Sequence, residues 1–338
     1  MAEPTFLIIV VIVAAVLFDY MNGWNDSANA IATVVSTRVL SPGRAVMLAA
    51  VLNLAGALVS VKVAATLTTG IVDPALISQT AILACMVAAA SWVWFCTAAG
   101  LPISGSHSLI GALVGSALAK NGSMAVLHMA GIKKVLLALL ISPLAGFAIS
   151  FVLMGALLWI FRKWSNTRVQ RTFGKLQLAS VSLMAWEHGK NDAQKVMGVI
   201  TLALIAGGFQ SGTEVQLWVK LVCATAMALG TAAGGWKVIR TLGSSLIKIQ
   251  PVHGFAAETG ASITLAIAAH IGAPVSTTHT ITGAIMGVGA TRRLSAVRWG
   301  LGGKIMMAWV FTLPTCAALG ALVYWLLKLF GLDAPVHV

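Results

Sequence analysis

Hydrophobic residues fall along the chain in ten long runs, at 5–36, 43–66, 77–98, 104–119, 133–161, 177–209, 215–234, 253–271, 276–290 and 299–330. A helix needs about 20 apolar residues to cross a bilayer, so most of these runs qualify, while those at 104–119 and 276–290 are short. The first and sixth runs are overlong, and polar residues interrupt both: NGWNDSANA at 22–30 and EHGKNDAQK at 187–195. Gly23 and Gly189 beside the two Asn-Asp pairs predict a loosened, broken helix at each. The two short runs open alike, on PISGSH at 102–107 and PVSTTH at 274–279, and continue into GALVG and GAIMG. Proline pre-sets the entry to a helix and Ser104 or Ser276 is placed to cap its free N–H groups, so each is read as the start of a half-helix.

Composition agrees with an all-α integral membrane protein. Only 9% of the residues are charged and mean hydropathy is +0.93, against about 25% charged in a soluble domain. The net charge of +13 does not point to nucleic acid, because Lys and Arg cluster in the short connections between apolar runs. That distribution is the positive-inside signature, and the partner it implies is the lipid bilayer. The first run has no Lys or Arg before it and no cleavage region, so it reads as a retained span rather than a signal peptide. Cys85, Cys96, Cys223 and Cys316 all lie in apolar segments without CxxC spacing, which argues against disulfides and zinc.

The polar interruptions repeat. Asn25-Asp26 and Asn191-Asp192 are 166 positions apart, and Ser104 and Ser276 are 172 apart, in the same order. Two motifs recurring at nearly one spacing indicate an internal duplication: a first repeat at 1–161, a short basic cytoplasmic linker at 162–176, and a second repeat at 177–338. Five membrane segments per half is an odd number, so the second half inserts inverted relative to the first, with the short half-helices meeting near the midplane. Loop charge sets the orientation. Arg38 and Arg44, then Arg162 to Lys175, then Lys237, Arg240 and Lys248, then Arg292, Arg293 and Arg298 fall on one side. The loops around Asp73 and Glu214 carry no Lys or Arg, and only the connection with Lys120, Lys133 and Lys134 runs against the rule. The count places the protein in the cell membrane, multi-pass, with both termini outside.

A helix N-terminus carries about half a positive charge and a fan of unpaired donors, so two of them at the midplane suit an oxyanion. The anion-binding residues expected on that basis are Ser104, Gly105, Ser106, Ser276, Thr277 and Thr278. Five of the nine acidic residues lie inside apolar runs: Asp19, Asp26, Glu187, Asp192 and Glu258. A carboxylate at the bilayer centre costs about 2.5–3.5 kcal/mol, so each needs a partner or a cavity. Pairing with Lys190 or Lys195 is the structural reading. The duplicated Asn25, Asp26, Asn191 and Asp192 offer hard oxygen ligands suited to sodium, and Glu258 joins them as a coupling residue. Asn22, Asn25, Asp26 and Asn29 share one helix face, whereas Lys195 stands where the second copy would repeat Asn29. His107 and His279 are read as fixed donors that orient the loops, with proton carriage as the alternative.

These motifs, with the long stretch GGWKVIRTLGSSLIKIQPVHGFAAETGASITLAIAAHIGAPVSTTH at 234–279, resemble the PiT family of inorganic phosphate transporters over essentially the whole chain. The resemblance implies symport of inorganic phosphate driven by sodium or protons, with no other cofactor and no catalytic residues; some relatives carry sulfate. It puts the family's paired elements on Asn25/Asp26, Asn191/Asp192, Ser104–Ser106 and Ser276–Thr278. Gly105 departs from the hydroxyl residue of the second copy, which predicts unequal contributions from the two helix ends. A sulfate permease is the main rival reading. An anion channel would need a basic ring in the pore, and a hydrolase would need a base and orienter that the SxxH pairs lack. A monomer and a homodimer are both compatible with the sequence.

Overall fold

The computed structural model describes residues 4–332, so the C-terminal end expected outside lies beyond the described residues. Twelve α-helices make up the described chain. The first six are α1 (Pro4–Ser36), α2 (Pro42–Ala57), α3 (Lys62–Thr69), α4 (Gln79–Ala99), α5 (Gly105–Asn121) and α6 (Met129–Ile160). The second six are α7 (Asn166–Ala206), α8 (Leu217–Ala233), α9 (Trp236–Arg240), α10 (Pro251–His270), α11 (Thr277–Arg292) and α12 (Trp299–Leu329), with a π-helical turn at Thr241–Ser245 after α9.

Helix packing is paired across the two halves of the chain. α1 lies on α8 as α7 lies on α2; α1 lies on α4 as α7 lies on α10; α5 lies on α12 as α11 lies on α6. The short helices thus pack on the last helix of the opposite half, which interlocks the two halves. α6 and α12 are the least buried of the four long apolar helices: their most apolar stretches, of mean hydropathy 2.4 and 1.8, are only 28% and 22% buried. Leu140, Val152, Val310 and Leu322 form part of their exposed apolar surface. The protein interior holds two hydrophobic clusters. One gathers the N-terminal half of α1, α4, α5 and the C-terminal half of α7. The other gathers the C-terminal half of α1, α2, the N-terminal half of α7, α10 and α11. The polar stretches 19–27 and 186–192 fall between them.

The structure corrects the reading of the Asn-Asp segments as helix breaks. α1 runs unbroken through Asn25-Asp26 and α7 through Asn191-Asp192. The glycines serve close packing instead: a Cβ on Gly23 would strike the Met227 carbonyl of α8, and one on Gly189 the Asn53 carbonyl of α2. Small residues let buried helix backbones approach, which is how membrane helices associate. The breaks lie elsewhere. The run at 43–66 splits into α2 and α3 with a 67° bend, and α8 meets α9 and the π turn at 63°. The segment 162–176 is also mostly helical: α7 starts at Asn166, where the Ser165 side chain accepts from the Arg168 N–H, and the connection proper shrinks to Phe161–Ser165.

Loop contacts group the connections in pairs. Val72 bridges Leu127, and the His128 N–H reaches the Ile71 carbonyl at 3.0 Å, so the loops after α3 and α5 share a face. The Arg298 N–H reaches the Leu246 carbonyl at 3.1 Å, which joins the loops after the π turn and α11. α5 and α11 both start in the buried interior, with Ser104 and Ser276 almost fully covered.

Candidate functional site

The two half-helices begin with nearly identical geometry. Ser104 has φ −93° and ψ 113°, and its side chain accepts from the His107 N–H at 3.2 Å. Ser276 has φ −93° and ψ 114°, and accepts from the His279 N–H at 3.2 Å. The first intrahelical bonds are Ser108 N–H to the Ser104 carbonyl and Thr280 N–H to the Ser276 carbonyl. Helix geometry therefore leaves the amides of Gly105 and Ser106, and of Thr277 and Thr278, aimed out of each helix end. The two ends are tied together: the Ser106 hydroxyl donates to the Val275 carbonyl at 3.1 Å, and the Thr278 hydroxyl to the Ile103 carbonyl at 3.0 Å.

α1 and α7 bring their polar faces to these ends. The Thr278 hydroxyl lies 2.9 Å from Asp26 Oδ1, and the Thr277 hydroxyl donates to Asp192 Oδ2 at 2.6 Å. The Asn29 amide donates to Thr277 and Thr278 at 3.2 and 2.9 Å. Asn25 donates to the Thr97 hydroxyl at 2.8 Å, and Asn191 to the Glu187 carbonyl at 2.7 Å. Apart from Gly105, which is also buried, every one of the expected anion-binding hydroxyls and Asn-Asp residues is at most 2% exposed. The amide oxygens of Asn22, Asn25, Asn29 and Asn191 are buried without a hydrogen-bond partner among the described residues. Buried acceptors left unpaired in that number mark a place for a cation or water.

Two residues complete the cluster that sequence reading left outside the site. Lys195 makes an ion pair with Asp192 Oδ1. His188 places Nε2 3.1 Å from Asp192 Oδ2, while its Nδ1 meets the Asn53 amide oxygen at 3.1 Å. Ligand atoms of Asp26, His188 and Asp192 all lie within 4.8 Å of one another. The signal for both was the 166-residue offset, which sets His188 opposite Asn22 and Lys195 opposite Asn29.

Gly105 has a physical reason. A Cβ at that position would overlap Asn22 Oδ1, so the first copy fills with an asparagine side chain the space that Thr277 uses in the second. Glu258 lies apart from the Asn-Asp pairs. Its Oε1 accepts from Thr33 at 2.5 Å and Gln177 at 2.9 Å, and its Oε2 from Ser180, all neutral donors. Thr33 is seven residues beyond Asp26 on α1, about 10 Å along the helix. Glu187 pairs with Lys190 at 3.3 Å, the structural arrangement. Asp19 is fully buried, and neither of its oxygens has a hydrogen-bond partner among the described residues. His107 and His279 meet edge-on at 4.5 Å, and His279 stacks on Trp309 at 3.8 Å. The Trp309 indole N–H donates to the Pro102 carbonyl at 3.1 Å, fixing this aromatic group against the loop before Ser104.

Residues 22–167 and 162–320 match the phosphate transporter family. The chain belongs to that family. It is 47% identical to a probable low-affinity inorganic phosphate transporter of Rhizobium meliloti, over 94% of this chain and 96% of that one. It is 43% identical to a probable low-affinity inorganic phosphate transporter of Bacillus subtilis, over 96% and 98%. A solved sodium-dependent phosphate transporter superposes with a TM-score of 0.87 at 24% identity, over 96% of this chain and 99% of that one, which establishes the fold. The family is one of multi-pass membrane transporters and not of enzymes. Within it, the paired caps at Ser104 and Ser276 and the Asn-Asp faces of α1 and α7 form the candidate transport site.

Proposed function

We propose that this phosphate transporter family member is a secondary active symporter that moves inorganic phosphate across the cell membrane together with a cation. One observation carries the reading: two capped helix N-termini abut at the buried centre of the fold, with Asp26 and Asp192 in hydrogen-bond reach of their hydroxyls. The amides at 105, 106, 277 and 278 with the hydroxyls of Ser106, Thr277 and Thr278 suit an oxyanion. The same carboxylates would repel that anion, so the anion and its counter-cation have to enter together. Sodium fits the unpaired asparagine oxygens, which are hard ligands that a proton does not satisfy.

The experiment is uptake of labelled phosphate into proteoliposomes with an imposed sodium or pH gradient. The expected result is saturable accumulation driven by the sodium gradient. Accumulation driven by the pH gradient alone would transfer the coupling role to protons. Phosphate flux that follows only its own gradient would refute symport and leave a channel.

The inverted arrangement, with the 162–176 segment cytoplasmic and the N-terminus outside, completes the proposal. In a protein freed of its native cysteines, a cysteine at Ser211 should react with an impermeant maleimide from outside intact cells, and one at Asn166 should not. Both positions are exposed. The reverse pattern would overturn the orientation.

A further inference from the structure

The two copies of the Asn-Asp element differ in the charge beside the carboxylate: Lys190 is paired with Glu187, and Lys195 stands where the first copy has Asn29. In the first copy Asp26 is approached by a single hydroxyl, that of Thr278, and Asn22, Asn25 and Asn29 each bury an amide oxygen with no partner among the described residues. In the second copy both carboxylate oxygens have a partner. Lys195 sits on Asp192 Oδ1, while the Thr277 hydroxyl and His188 Nε2 meet Oδ2 at 2.6 and 3.1 Å. Only Asn191 keeps an unpartnered amide oxygen there.

We propose that the Lys195 ammonium is a tethered cation that permanently holds the coupling-ion position of the second half, so that a mobile cation is taken up by the first half alone. This rests on the reading of the protein as a cation-coupled phosphate symporter. An ammonium is a compact positive charge with three donors, so it balances a carboxylate much as a bound ion does. Lys195 is 4% exposed and one helical turn from Asp192, which keeps the charge in place whether or not substrate is present. A second metal cation at this point would meet a like charge at ion-pair distance and a carboxylate with both oxygens taken. The first copy has Asn29 at the equivalent position, and Asn29 turns its N–H groups to Thr277 and Thr278 and leaves its oxygen free. The protein thus supplies part of the charge that balances the anion. Each phosphate then moves with one ion fewer than in a transporter whose two copies both carry asparagine. Because each coupled ion contributes one factor of its concentration ratio, the accumulation attainable at a given gradient is lower, and fewer ions are spent on each phosphate.

The test counts ions and charge in the wild type, Lys195→Asn and Lys195→Arg. Charge moved per phosphate is read from reversal potentials of proteoliposomes, and bound sodium per protein from equilibrium binding of radioactive sodium with saturating phosphate. The expected result is one additional charge per phosphate and one additional bound sodium in Lys195→Asn, with wild-type values in Lys195→Arg. Unchanged values in Lys195→Asn overturn the inference, as does a gain in Lys195→Arg equal to that in Lys195→Asn. Equilibrium binding on monodisperse detergent-purified protein needs no turnover, so a variant that folds but does not transport still gives an answer. Lys195→Gln serves in the same assay where Lys195→Asn is not monodisperse. Cation-independent phosphate flux in the wild type would instead refute symport itself, a separate outcome from an unchanged count in a working symporter.

Discussion

Asp26→Asn is expected to abolish concentrative phosphate uptake and leave the fold as stable as the wild type, whereas Asp192→Asn abolishes uptake and destabilises the protein. The difference follows from the partners. Asp26 is buried with one hydroxyl contact and no ion pair among the described residues. An asparagine can meet the same hydroxyl with its oxygen or its N–H, and the change removes a buried charge whose burial costs free energy. What is lost is the negative charge that holds the coupling cation. Asp192 neutralises Lys195, so its replacement strands a buried ammonium. Breaking a buried pair by removing one member costs about 3–5 kcal/mol. Thermal unfolding in detergent, read beside gradient-driven uptake in liposomes, separates the two. Glu258→Gln is the control: its carboxylate is held by three neutral donors, one of them Thr33, about 10 Å along α1 from Asp26, and uptake should be impaired without being lost. Normal accumulation by both aspartate variants would overturn the assignment of the Asn-Asp elements to cation coupling.

What could be read from the sequence was local or repeated. The caps at Ser104 and Ser276 were legible because proline, a hydroxyl residue and a following apolar run are next to one another in the chain. The Asn-Asp pairs were legible because the duplication showed each of them twice. The helix breaks were misplaced because glycine carries two meanings. Gly23 and Gly189 read as loosening the backbone, yet they lie under the carbonyls of Met227 and Asn53, contacts that exist only once α1 is against α8 and α7 against α2. The bend between α2 and α3 falls at 58–61, beside Ser60 and Lys62 and without proline, and two polar residues in a long apolar run were too weak a signal to mark it. The Glu258 group is tertiary: Thr33, Gln177 and Ser180 come from two helices of different halves, and their first-half or second-half counterparts are apolar, so the repeat gives no second copy to recognise. Lys195 was visible as a departure from the repeat, but its pairing with Asp192 rather than with the other buried acids required the structure.

Sulfate is expected to compete with phosphate about 5- to 150-fold less well than phosphate competes with itself. Phosphate near neutral pH keeps at least one P–OH group, while sulfate offers acceptors only. Backbone N–H groups and the hydroxyls of Ser106, Thr277 and Thr278 would serve both anions, because hydroxyls can rotate to donate. The carboxylates distinguish them. Asp26 Oδ1 lies 2.9 Å from the Thr278 hydroxyl and Asp192 Oδ2 2.6 Å from that of Thr277, so both acceptors border the helix ends. Both oxygens of Asp192 already have partners, Lys195 on Oδ1 and the Thr277 hydroxyl on Oδ2, which leaves Asp26 as the freer acceptor for a phosphate proton. Toward sulfate the same oxygen is an unpaired polar group facing a like charge, a mismatch of about 1–3 kcal/mol, and every 1.4 kcal/mol is about tenfold in affinity. Equilibrium displacement of labelled phosphate from the purified protein measures the ratio directly. Asp26→Asn offers a neutral oxygen and an N–H in the same place, so the ratio should narrow in that variant even though transport is lost. Sulfate displacing phosphate at equal concentration from the wild type would remove the carboxylate from the selectivity argument and make sulfate an equal substrate.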